Sequence, residues 1–338
     1  MLSNTRKFFI FLVISSINFI TPLYAADKHY YIFSGNSNKT LAENIAYHLR
    51  TPLGNAQINH YGDGEINITI HENVKNKYVF IIQSTCKGNN VTMNDSIMEL
   101  YLLTRALKRN GAKVITAIIP YLGYTRQDRK DFNFAPISTS DIAMLLEKAG
   151  LNNIITIDLH SIQIQGFFHY IPVDNIYAST ITAPYFATLN LKNPVVVALH
   201  SSGMLRAENF KKDLTKVGII SNLALVIRQR SDSGKQETNL IGKVKGRDVI
   251  IVDDLCDTGS TLRETTTTLK QAGALNVYAA ITHPMLSDGA LEKIAQSDIK
   301  EMVTIDTIPI KQKLPNNIKQ LSAAPLLAEL IRNMSDEL

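Results

Sequence analysis

The sequence predicts an α/β protein of two similar domains, each a mostly parallel sheet flanked by helices. Three observations carry this expectation. From Tyr30 onward, short apolar runs alternate with stretches of helical length, the pattern of strands joined by covering helices. The 338 residues exceed one ordinary domain and suit two of about 150 residues each. A punctuation also recurs. A helix, Asn110-Gly-Ala-Lys, a strand and Pro120 in the first half are echoed by a helix, Ala272-Gly-Ala-Leu, a strand and Pro284 in the second. Glycine closing a helix ahead of a strand is common in α/β folds, and two occurrences in the two halves favour two domains of like build.

The elements follow in order. Tyr30–Phe33 reads as a strand, and Asn38–Leu49 as a helix with Leu41, Ile45 and Leu49 on one face. Ile66–Ile70 alternates like a half-buried strand, whereas Tyr78–Gln83 has the apolar character of a strand covered on both faces. Asp95–Arg109 is a helix, Lys113–Ile119 a strand, Ile142–Leu146 a helix and Ile154–Ile157 a strand. The second half supplies strands at Val195–Leu199, Ala224–Ile227, Asp248–Val252 and Val277–Ile281, with helices at Leu262–Gln271 and Ala324–Arg332. With a boundary near Tyr177, the expected division is 27–176 and 177–312, plus a C-terminal helix at 320–335 packing on the first domain.

Composition excludes several classes. With 45% apolar and 19% charged residues the chain is globular, which rules out disorder, collagen-like repeats and coiled coil. The net charge of +5 comes without a dense Lys/Arg stripe, so no nucleic-acid partner is expected. Cys86 and Cys256 cannot form a disulfide framework or a zinc site by themselves. Residues 1–25 combine Arg6 and Lys7, an apolar run from Phe8 to Ile20 and Thr-Pro-Leu-Tyr-Ala, the layout of a secretory signal peptide cleaved after Ala25 or Ala26. The run is too short to span a bilayer comfortably. The expectation is an exported protein, periplasmic or secreted, without stable membrane association after cleavage; a mis-assigned start would make it cytoplasmic.

The strongest chemical signal is Val249-Ile-Ile-Val-Asp253-Asp254-Leu-Cys-Asp257-Thr258-Gly259-Ser260-Thr261. A buried strand ends in two adjacent carboxylates, at the carboxyl end where open parallel sheets bind ligands. Small hydroxyl-bearing residues then open directly into a helix. The amides at that helix start, with the Thr258, Ser260 and Thr261 hydroxyls, form a cradle for a phosphate dianion. Gly259 permits close backbone approach. Asp253 and Asp254 would accept hydrogen bonds from hydroxyls on the rest of the ligand, so a sugar phosphate fits. A plain helix cap explains Asp257 or Thr258 but not the carboxylate pair. The stretch resembles the phosphoribosyl-diphosphate signature of phosphoribosyltransferases and their relatives.

The first half narrows the resemblance to the ribose-phosphate pyrophosphokinase family. The matching segments are Ile32-Phe-Ser-Gly-Asn-Ser, Asp63-Gly64-Glu65 with Glu72-Asn-Val, Ile81-Ile-Gln-Ser-Thr-Cys86, and Asn94-Asp with Met98-Glu-Leu. Ile119-Pro-Tyr-Leu-Gly-Tyr124, Arg126-Gln127-Asp128-Arg129-Lys130 and Ala135-Pro-Ile-Ser138 match too. So do Asp158-Leu-His160, Gln163-Ile-Gln-Gly-Phe-Phe168, Ile171-Pro-Val-Asp-Asn175 and Asp306-Thr-Ile-Pro309. Taken singly, Arg126–Asp131 would be a solvated charged turn, His160 a packed or capping histidine and Asp63–Glu65 an ordinary turn. Their joint order is what singles them out. No Walker A loop exists, since Gly35-Asn-Ser-Asn-Lys39-Thr40 lacks the second glycine.

The resemblance implies two phosphoribosyltransferase-type domains, an ATP side at 27–176 and a ribose 5-phosphate side at 177–312, working as a homo-oligomer with Mg2+. It implies diphosphoryl transfer from ATP to ribose 5-phosphate, releasing AMP. Asp63, Gly64 and Glu65 would hold adenine across a subunit interface, with Arg126, Gln127 and Asp128 on the nucleotide. Asp253, Asp254, Asp257, Thr258, Gly259, Ser260 and Thr261 would hold ribose 5-phosphate, and His160 a metal. Three departures stand out. His200 replaces the family's second metal-bearing aspartate, and imidazole favours softer metals than Mg2+, implying a weakened or retuned position. The catalytic loop reads Arg228-Gln229-Arg230, with arginine where the family has lysine; its planar fork cannot mimic a compact ammonium. Extra residues lie between Cys86 and Asn94 and at His169-Tyr170. The alternative expectation is a non-catalytic exported relative that binds a sugar phosphate or nucleotide.

Overall fold

The computed structural model describes residues 30–336 except 89, 131, 231–235 and 288, with backbone alone over 228–230 and 236–237. The expected signal segment, 1–25, lies outside the described residues. The first half comprises β1 (Tyr30–Ser34), α1 (Lys39–Leu49), β2 (Ala56–His60), β3 (Ile66–Ile70), β4 (Tyr78–Ile82), α2 (Met93–Arg109), β5 (Val114–Ile119), α3 (Ser138–Ala149), β6 (Asn153–Ile157) and β7 (Val173–Ile176). The second begins with α4 (Ser179–Ala187), β8 (Val195–Ala198), α5 (Met204–Lys216), β9 (Asn222–Arg230) and β10 (Gln236–Ile241). It continues through β11 (Asp248–Cys256), α6 (Ser260–Gln271), β12 (Asn276–Pro284), α7 (Ala290–Ala295), β13 (Ile299–Ile305), β14 (Ile318–Leu321) and α8 (Ala324–Asp336).

Two sheets organise these elements, as the alternating pattern requires. The first has the order β1-β4-β5-β6-β7 and is parallel throughout. The second has the order β10-β9-β8-β11-β12-β13-β14, with β10 its antiparallel edge. Their central strands are apolar because helices cover both faces. Ile81, Ala117 and Ile119 pack with Leu100 and Leu103 of α2 on one face of the first sheet. Ile32, Phe80 and Ile118 pack on the other face with Leu41 and Ile45 of α1 and Leu327 and Ile331 of α8. The last helix thus covers the first sheet, while β14 carries the second sheet past residue 312.

The structure refines the expected elements where local chemistry is subtle. Ile66–Ile70 is a strand, but it pairs antiparallel with β2, outside the main sheet; its partner Ala56–His60 carries little apolar signal. Helix α2 starts before Asp95 because Thr92 and Asp95 form a reciprocal cap. The Thr92 amide donates to Asp95 Oδ2 at 2.8 Å, and the Asp95 amide to Thr92 Oγ1 at 3.2 Å. Strand β11 continues through the carboxylates to Cys256.

The carboxyl ends of the two sheets meet. Thr282 donates to Asp158 Oδ2, and Ser84 donates to the Thr307 carbonyl at 2.6 Å. His283, at the end of β12, lies 3.2 Å from the Asp158 carbonyl and 3.0 Å from Thr307 Oγ1. This junction sets the segments after β5, β6 and β8 around one cleft, and the segment after β11 meets that after β5 through Arg126 and Asp257.

Candidate active site

Asp253 and Asp254 stand near the end of β11, between β8 and β12, with both side chains buried. Arg206, from the first turn of α5, joins them. Its Nη1 is 3.1 Å from Asp254 Oδ1 and 3.5 Å from Asp253 Oδ1. Its Nη2 donates to the carbonyls of Leu159 at 3.3 Å and His160 at 3.5 Å. His160, just after β6, sets Nδ1 2.8 Å from Asp254 Oδ2. One arginine and one histidine therefore grip Asp254, while Asp253 has cationic or imidazole partners only at 3.5 Å.

Electrostatics separates the pair accordingly. Burial alone would raise Asp254, but Arg206 and His160 outweigh it and hold this carboxyl well below the usual range. At Asp253 burial wins and the carboxyl is pushed up. The Asp254 hydrogen bond raises His160. Burial works against the Arg206 charge, yet Asp254, Asp158 and Asp253 together hold its proton on more tightly than usual.

The phosphate cradle follows directly. Gly259 takes a left-handed conformation, φ 72°, at the N-terminus of α6, and the first amides of that helix have no intrahelical acceptor. Thr258 and Thr261 are exposed, and Thr258 Oγ1 donates to Ser260 Oγ at 3.3 Å. Asp257 turns away from the cradle, accepting from the Ser287 hydroxyl and from Arg126 Nη1 at 2.9 Å. Against partial burial, Ser287 and Arg126 keep Asp257 below its ordinary value. Lys293 of α7 sets Nζ 3.2 Å from the Thr258 carbonyl and 3.4 Å from Ser260 Oγ, adding positive charge beside the cradle.

Arg126 and Gln127 occupy a single helical turn, Thr125–Gln127, after β5. Gln127 accepts from the Ser138 hydroxyl at 2.6 Å. Asp128, Arg129, Asp158, His160, Tyr177 and Arg206 line a cleft of about 380 Å³, within the size range of small-ligand pockets. Asp63, Gly64 and Glu65 are not brought to it. They form the β2–β3 turn, where Asp63 Oδ1 accepts from the Glu65 amide at 3.1 Å, and none of them lines the cleft. Arg228 and Arg230 are located by backbone alone, on β9 opposite Thr238 and Gln236.

The donor set also bears on Mg2+. Among the described residues no three His, Cys, Asp or Glu side chains converge as a cage. Asp128 Oδ1 is buried without a hydrogen-bond partner, its nearest cation being Arg129 Nη1 at 3.6 Å, and His160 spends Nδ1 on Asp254, leaving Nε2. This sparse set fits an ion that keeps waters and takes further ligands from phosphates, the habit of Mg2+. Lys293 and His283 carry no signal in motif or spacing. Asp158 opens the Asp158-Leu-His160 segment, and Arg206 has a faint signal, resuming the family pattern after His200.

Comparison with known proteins follows the same lines. The model for the N-terminal domain of ribose phosphate pyrophosphokinase matches residues 30–150, and that for the phosphoribosyl synthetase-associated domain matches 220–337. The chain is 44% identical over 304 residues to a ribose-phosphate pyrophosphokinase of Helicobacter hepaticus, covering 90% of this chain and 95% of the relative. It is 45% identical over 302 residues to one of Ralstonia nicotianae, covering 88% and 92%. Among solved structures, phosphoribosylpyrophosphate synthetase from Mycobacterium smegmatis superposes with TM-score 0.82 at 33% identity, covering 92% of this chain and all of that one.

Proposed function

This chain belongs to the ribose-phosphate pyrophosphokinase family, and from that premise we propose how its residues divide the reaction. The protein is a ribose-phosphate diphosphokinase, moving the diphosphoryl group of ATP onto ribose 5-phosphate. The anomeric oxygen attacks the β-phosphorus, the bond from that phosphorus to the α–β bridging oxygen breaks, and AMP departs. The hydroxyl proton is released. Catalysis of such a transfer is chiefly positioning and neutralisation of charge.

One observation carries the assignment of roles: Arg126 from the first half and Asp257 from the second are 2.9 Å apart. The nucleotide-side turn and the sugar-phosphate cradle are therefore neighbours across a single ion pair. In this reading the α6 amides, Thr258, Ser260 and Thr261 bind the 5-phosphate with help from Lys293, and Gly259 gives the backbone access. Asp253 and Asp254 accept from ribose hydroxyls. Arg126 and Gln127 orient the ATP phosphates, a task suited to a forked guanidinium. Arg228 and Arg230 stabilise the charge on the transferring group. Mg2+, when bound, neutralises phosphate charge, and Asp128 with His160 would hold it. Asp63–Glu65, on the β2–β3 turn, would contact the adenine held by a neighbouring subunit, which makes the protein a homo-oligomer in this reading.

The test is direct. The purified full chain, given ATP and ribose 5-phosphate with Mg2+ or Mn2+, is expected to form AMP and phosphoribosyl diphosphate in equal amounts, read by 31P NMR. ADP as the product, or no AMP with either ion, would overturn the assignment. The relatives at this level of identity carry the enzyme's name, which supports catalysis over a purely binding role.

A further inference from the structure

We propose that His200 is a positioning residue that replaces a cation with an N–H donor: its imidazole holds Asp253 without a metal. The backbone at His200 is extended, φ −164° and ψ 164°, and the residue caps the single turn Ser201–Gly203. The Gly203 amide donates to His200 Nδ1 at 3.1 Å, and the Ser202 hydroxyl lies 2.7 Å from the same nitrogen. An amide can only donate, so Nδ1 carries no proton and the ring proton sits on Nε2. Nε2 in turn lies 3.5 Å from Asp253 Oδ1. One nitrogen has its lone pair engaged and the other carries hydrogen. Neither is left to ligate a metal, so His200 does not serve as the ligand that the family pattern suggests.

The placement is built in. The turn that His200 caps leads directly into α5, and α5 delivers Arg206 to the same carboxylate oxygen at 3.5 Å. The Asp254 amide donates to that oxygen at 3.0 Å. Three N–H groups thus face Asp253 Oδ1, two as hydrogen bonds from Arg206 and the Asp254 amide and the third, His200 Nε2, at 3.5 Å, and together they orient the carboxylate where a cation would otherwise do so. The consequence rests on the ribose 5-phosphate reading of residues 253–261. The sugar phosphate should bind this protein without a divalent ion on its side of the site, and metal dependence should arise from the nucleotide.

Three measurements on the full chain test this. Long-range 15N–1H NMR of the histidines is expected to show His200 as the Nε2–H tautomer, assigned by its loss in His200→Asn. Calorimetric titration with ribose 5-phosphate is expected to give affinities in EDTA and in Mg2+ that agree within about twofold. In His200→Asp, whose carboxylate can still cap the turn, Mg2+ should tighten ribose 5-phosphate at least about fivefold. Pulsed EPR with Mn2+ should show nitrogen modulation unchanged in His200→Asn. An Nδ1–H tautomer, Mg2+-dependent sugar-phosphate affinity in the unmodified protein, or nitrogen modulation lost in His200→Asn would each overturn the proposal. If ribose 5-phosphate fails to bind under every condition, the substrate reading falls. The NMR and EPR results still decide the role of His200.

Discussion

Arg206 shows how one side chain can organise a site that its neighbours in sequence do not reveal. It lies within 3.5 Å of both carboxylates of the pair and ties them to the carbonyls that follow β6. Asp253 and Asp254 were legible from sequence because adjacent acids at a strand end have few other uses. Arg206 was not, since its contacts with Leu159 and Asp253 each cross 47 residues. Removing a buried partner leaves charge uncompensated and costs about 3–5 kcal/mol. Arg206→Met is therefore expected to lower unfolding free energy by about that amount in urea titrations. A loss below about 1 kcal/mol would show that the pair is held by other means.

Among the elements, the cradle from Thr258 to Thr261 is the one whose backbone matters most. Gly259 sits at φ 72°, a region costing a side-chain-bearing residue about 1–2 kcal/mol. A Cβ there would meet the Ala290 carbonyl at 3.4 Å, an ordinary contact; conformational strain, not a clash, sets the cost. Gly259→Ala is expected to destabilise by about 1–2 kcal/mol and to raise the KM for ribose 5-phosphate while the KM for ATP stays near its original value. An equal rise in both would place the loop's role elsewhere. Element boundaries were less legible than element types. Helix α2 begins two residues early because of the Thr92–Asp95 cap. Helix α4 went unseen because Pro184 sits inside it and its apolar residues do not fall on one face. Its stability comes instead from burying Ala183 and Phe186 against Phe210 and Val196.

Across the molecule, the two sheets are locked at their carboxyl ends by a buried polar chain of Ser84, Thr307, His283, Thr282 and Asp158. Burial pulls His283 down to about 4 from its ordinary 6.5, against the attraction of Asp254. The folded protein therefore binds a proton there less readily than the unfolded chain. This contribution is complete above pH 6.5 and is lost as the pH falls toward 4, with a slope reaching about 1.4 kcal/mol per pH unit. His283→Gln, compared with the unmodified protein by urea unfolding across that window, is expected to flatten the dependence. An unchanged slope would remove His283 from the account. Helix α8 adds the second tie, returning from the second sheet to bury Leu327 and Ile331 against α1 and the first sheet.

The α/β class and the family are readable in the sequence because both depend on short-range order. Alternating apolar runs name strands and helices, and contiguous motifs carry their own chemistry. The convergence of Arg126 on Asp257, of Lys293 on the Thr258–Ser260 turn and of Arg206 on two acids required the folded chain. Such pairings join residues far apart in sequence, and nothing local distinguishes the arginine or lysine that will meet a partner from one left in solvent. The His200 tautomer belongs with these, for it is set by an amide and a carboxylate that only the packed turn and strand bring to opposite sides of one ring.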